Sequence, residues 1–172
     1  MQRARSALSI VVAAVAVPLA ALGPSSLSAA TATPSCVASQ LSVTIGRAQG
    51  TAGTTYYLIA FTNRAGTCAI WGVPAIQPVG RGWRALGPMA RNTSMGMMPQ
   101  RHVISYGQSV SVAFGVVDAG NYPSVSCGAR RAIGVSVSLA PFVPSTYRAL
   151  SITVCTRRAS TTTQLLAPGA KG

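Results

Sequence analysis

Residues Thr54 to Pro74 read TTYYLIAFTNRAGTCAIWGVP. From Thr54 to Phe61 the side chains are β-branched, aromatic or aliphatic, the types that fit a pleated and half-buried surface, so this run predicts a strand. Asn63-Arg64-Ala65-Gly66 carries turn chemistry: an Asn side chain can bond nearby backbone, and Gly has no Cβ to obstruct a tight bend. A second strand bearing Cys68 follows. The two together predict a strand, a tight turn and a strand on which the rest of the chain packs.

Working outward, the same period recurs. Leu41, Val43 and Ile45 alternate with Ser42 and Thr44, and Val110, Val112, Phe114 and Val116 alternate with Ser109, Ser111 and Ala113. So do Ile133, Val135, Val137 and Leu139 against Ser136 and Ser138, and Leu150, Ile152 and Val154 against Ser151 and Thr153. Alternation puts apolar side chains on one face of each strand. No stretch after the N-terminal run shows a helical period. Seven or more short strands, parted by Gly- and Pro-containing turns, predict an all-β, Ig-like two-sheet β-sandwich. It is not an antibody-type domain, because Trp71 follows Cys68 by three residues instead of lying midway between bridged cysteines.

The N-terminus has a different character. Arg3 and Arg5 precede an apolar run from Ala7 to Gly23, then small residues including Ala30-Thr31-Ala32, the pattern of a secretory signal peptide. Pro18 interrupts the run, which argues against a membrane anchor of about 20 apolar residues. Thr33-Pro34-Ser35 before Cys36 does not suit lipidation. The expected organisation is a signal peptide over 1–32, a sandwich over 33–158 and a flexible tail over 159–172, exported and without a membrane span after cleavage.

All four cysteines, Cys36, Cys68, Cys127 and Cys155, lie in the exported part, where disulfides persist. Three pairings are formally open. Sequential pairing closes two loops of similar length, each contributing roughly 3–4 kcal/mol on the loop-entropy model. No close Cys-x-x-Cys pair exists and His102 is remote from all four in sequence, so a zinc site is not expected.

At this point the chain resembles the actinobacterial domain of unknown function family 4232. Cys36, Gly53, the strand ending Phe61-Thr62-Asn63, and Gly66-Thr67-Cys68-Ala69-Ile70-Trp71-Gly72-Val73-Pro74 carry the first half of the likeness. Asp118-Ala119-Gly120-Asn121-Tyr122-Pro123 running into Cys127, with a closing Cys155, carries the second. The likeness covers about residues 36 to 156. It implies a secreted or lipid-anchored β-sandwich with sequential disulfides and no established activity. Tyr106-Gly107-Gln108 departs from the Pro-Gly that the family places before the next strand, and Trp83 to Arg101 matches no family pattern.

Charge is the other physical handle. The chain has 14 basic residues, one acid and one histidine. Removing Arg3 and Arg5 leaves twelve basic side chains against Asp118, a net charge of +11. Such a field attracts polyanions, and outside a cell these are acidic polysaccharides, anionic lipids and nucleic acid. The arginines form no long run, which equally suits plain solubility. Arg130 and Arg131 beside Cys127, and Arg157 and Arg158 beside Cys155, would meet if those cysteines pair, giving a candidate polyanion site. Sequence-specific nucleic-acid reading is not expected, because Tyr56, Tyr57 and Phe61 are placed in a buried strand.

Catalysis is argued against by scarcity. With one Asp, one His and no Glu, paired carboxylates do not exist. No serine sits in a Gly-x-Ser-x-Gly elbow, and Asp118 beside Gly120 reads as a turn residue. Gly80-Arg81-Gly82-Trp83 reads as a strand-linking turn, not a phosphate cradle. No catalytic residue and no cofactor is assigned. The alternative to an envelope-binding domain is an extracytoplasmic copper protein, since Met89, Met95, Met97, Met98 and His102 offer thioethers and an imidazole suited to Cu(I). Against that, methionines also fill irregular gaps or face a protein partner.

Overall fold

A computed structural model of the chain describes residues 32–169. The signal peptide expected over 1–32 lies almost wholly outside the described residues, as does Lys171. Eleven strands run in order: β1 (Leu41–Thr51), β2 (Thr54–Asn63), β3 (Cys68–Ile70), β4 (Ala75–Val79), β5 (Arg91–Asn92), β6 (His102–Ile104), β7 (Ser109–Val117), β8 (Ala129–Leu139), β9 (Val143–Cys155), β10 (Thr161–Thr163) and β11 (Ala167–Pro168). Among the described residues helix is confined to single turns, of which α1 (Ser124–Cys127) is α-helical.

The larger sheet is ordered β1-β2-β7-β10-β5, with β11 also on β7; a second sheet is β4-β8-β9, and β3 pairs with β6. Register explains the core. Tyr57, Ile59 and Phe61 of β2 stand opposite Phe114, Val112 and Val110 of β7, while Val43 and Ile45 of β1 stand opposite Phe61 and Ile59. Residues paired across a ladder share a face. That apolar face meets Ile76, Val135, Val137, Leu139, Ile152 and Val154 of the second sheet in one buried cluster. The expected all-β sandwich is therefore present.

Four readings need correction. The strands on either side of Asn63–Gly66 do not pair: β2 takes β1 and β7 as neighbours, and β3 takes β6. The turn carries the chain off the larger sheet, and the buried Asn63 side chain makes that departure by donating to Gly66 O (2.9 Å) and Ile104 O (2.8 Å) and accepting from Ala65 N (2.9 Å). Ile133 is 43% exposed, because β8 slips register against β9 between Ala132 and Gly134 and turns that side chain outward. Tyr56 faces away from the core, 36% exposed, against the expectation of a buried strand.

The fourth correction concerns the flexible tail expected from 159. Ser160, Thr161, Thr163 and Leu166 are buried. β10 pairs antiparallel with β7 and parallel with β5, and β11 pairs with β7. A threonine run looks like linker composition, but β-branched threonines also suit a strand, and Thr163 Oγ1 donates to Pro74 O at 3.1 Å.

Candidate functional site

Both disulfides form as Cys36–Cys68 and Cys127–Cys155. The first ties the N-terminal segment to β3, where Cys36 N donates to Ala69 O and Ala69 N to Pro34 O. The second closes the open end of the β8–β9 hairpin. Pro123 opens α1, and Gly128 ends it at a φ of 60°, a left-handed conformation that glycine adopts without penalty. β8 then begins with Ala129 opposite Cys155, Arg130 opposite Val154 and Arg131 opposite Thr153.

This arrangement brings Arg130, Arg131, Arg157 and Arg158 to one end of the sandwich, all exposed. They do not share one face. Neighbours on a strand point to opposite sides, so Arg131 lies on the outer face with Thr153 and Arg130 on the other. Each is differently held: Arg131 Nε donates to Ser151 Oγ (2.8 Å), Arg157 Nη1 to Val125 O (2.8 Å), and the Arg158 guanidinium stands 4.1 Å above the Tyr122 ring. Asp118, the one carboxylate, lines a nearby cleft of about 260 Å³ with Ser151 and Thr153, but its Oδ1 accepts from Gly120 N at 2.9 Å. Four guanidiniums against one carboxylate leave that end strongly positive.

Other arginines act as carbonyl clamps. Arg148 Nε on β9 donates to Val43 O of β1 (2.7 Å), across the seam between the sheets, and Arg101 donates to Thr33 O. With a single acid in the chain, guanidiniums find backbone oxygens instead of ion-pair partners.

The sulfur and imidazole candidates do not line one common cavity. Met97 and Met98 line a groove of about 380 Å³ with Leu165 and Leu166, whereas His102 lines a different hollow of about 290 Å³. His102 Nε2 donates to Leu166 O at 3.0 Å, so that nitrogen is engaged. Met89 and Met95 are 52% and 85% exposed and belong to neither cavity. Among the described residues, no group of three His, Cys, Asp or Glu side chains is placed to hold a metal.

One feature was not legible as a site. Trp83, in the turn Arg81–Trp83, folds back over the outer face of the β4-β8-β9 sheet and meets Tyr147 of β9, ring centroids 5.1 Å apart and planes inclined by 43°. The only signal in the sequence was a Gly-x-Gly-Trp turn beside a strand with a tyrosine in the outward phase.

A family model described as "Domain of unknown function (DUF4232)" matches residues 36–168. No curated protein and no solved structure matches the chain.

Proposed function

The chain belongs to the DUF4232 family of domains of unknown function, and from that footing we propose that it is an exported, non-enzymatic binding domain of the cell envelope that contacts anionic envelope polymers. The observation that carries this reading is the Cys127–Cys155 bridge, which gathers Arg130, Arg131, Arg157 and Arg158 from two separated stretches to one end of the fold. Export is supported by two formed disulfides and by the signal-peptide pattern of the first 32 residues. No helix among the described residues is long and apolar enough to cross a membrane.

The test is retention on an envelope preparation across a salt series. Exposed charges more than about 10 Å apart are screened at ~0.1 M ionic strength, so an electrostatic contact loses strength steeply as salt rises. Binding that persists unchanged at about 1 M salt, where the screening length is ~3 Å, removes the polyanion reading.

A further inference from the structure

We propose that the outer face of the β4-β8-β9 sheet is a glycan-binding surface on which Trp83 and Tyr147 stack against the sugar rings of a uronic-acid-containing polysaccharide. This rests on the reading of the chain as an envelope polyanion binder and names the class of polymer.

The placement of Trp83 is costly in conformation and in side-chain choice. It is the one non-glycine residue with positive φ (58°) among those described, a region that side chains with a Cβ rarely enter. Gly134 beneath it has no room for a side chain: a Cβ there would stand 2.7 Å from the indole Cζ3 and 2.5 Å from Arg148 O. The indole therefore rests on bare backbone of β8. Such an arrangement, if its purpose were only to cover the sheet, would bury the ring. Instead Trp83 stays 41% exposed and Tyr147 45% exposed. Strained backbone that presents a side chain to solvent points to a binding role.

The surroundings fit a carbohydrate. Outward positions on this sheet mix hydroxyls with larger side chains: Ser136 stands between Gln77 and Tyr147, Ser151 and Thr153 continue the outer face of β9, and Ile133 turns outward on β8. The hydroxyls supply donors and acceptors for sugar hydroxyls. Rings inclined by 43° do not make a flat plane, and suit one twisted glycan strand better than a crystalline surface. Charge selects the class. Arg81 and Arg84 flank Trp83, both exposed, and Arg131 lies on the same outer face toward the Cys127–Cys155 end. Carboxylated sugars satisfy both the aromatic and the cationic parts, whereas a ringless polyanion satisfies only the second.

The experiment measures binding of the full chain to polygalacturonate, to a neutral galactan and to polyphosphate, with Tyr147→Ser and Trp83→Ser as variants. Polygalacturonate should bind tightest, and each variant should weaken it about tenfold, the scale of one well-placed aromatic contact, while polyphosphate binding is unaffected. Polygalacturonate binding untouched by both variants overturns the proposal and leaves the polyanion reading standing. Galactan binding equal to polygalacturonate overturns the acidic-sugar assignment. Failure of the wild-type chain to bind either anionic polymer removes the underlying reading as well. Because Trp83 also covers Gly134 and its loss can impair folding, the wild-type tryptophan fluorescence is read in parallel. It should shift with polygalacturonate and not with polyphosphate; an identical response to both contradicts stacking.

Discussion

Asn63 shows how one side chain redirects a strand. Its buried side chain bonds two carbonyls and one amide, and the bond to Ile104 O is fully buried. Asn63→Ala orphans them, and at about 0.5–1.5 kcal/mol per net hydrogen bond the loss should be roughly 2–4 kcal/mol in chemical denaturation. Asn63→Asp keeps the acceptor but not the donor and should rescue little. Arg148 makes a similar argument for the seam between the sheets, with Nε on Val43 O and Nη1 on Thr146 Oγ1 and Tyr147 O. Arg148→Lys preserves charge but not the planar fork, so it should cost about 1–2 kcal/mol of stability while leaving polyanion affinity unchanged. A parallel loss of affinity and stability in that variant would mean that Arg148 belongs to the binding surface.

At the scale of elements, the strands were legible and their partners were not. Alternation placed β1, β7, β8 and β9, and β-branched and aromatic composition placed β2, because both are local properties. Nothing local told β2 from β3 as sheet-mates, since the Asn63 bonds that separate them reach Ile104, far along the chain. The Arg cluster was legible through cysteine pairing, but the Trp83–Tyr147 pair required knowing that β4 and β9 flank β8. The C-terminal segment was misread for the same reason: its threonines become a strand only against β7 and β5. Truncation after Arg158 removes β10 and β11 and uncovers β7, and should lower the thermal midpoint by several degrees, as a loss of ~1 kcal/mol shifts a domain of this size by roughly 2–8 °C. A midpoint equal to that of the intact chain would restore the flexible-tail reading. Cys127→Ser with Cys155→Ser should cost about 2–5 kcal/mol and also loosen the end that carries the four arginines.

At the scale of the whole molecule, the eleven arginines that follow Arg5 and the one aspartate leave little scope for internal charge pairing. Part of the guanidinium content is spent on backbone oxygens, and the remainder makes the surface field. The distribution of that remainder decides between a diffuse attraction and a site. Arg130, Arg131 and Arg158 cluster near one disulfide, whereas Arg47, Arg64 and Arg91 are also exposed but lie elsewhere on the fold. The affinity for polygalacturonate of two charge-matched triple variants, one set changed to Gln and then the other, is the most direct measurement. If the clustered end is the site, the Arg130/Arg131/Arg158 variant loses substantially more affinity than the Arg47/Arg64/Arg91 variant; equal losses, or none in either, contradict it.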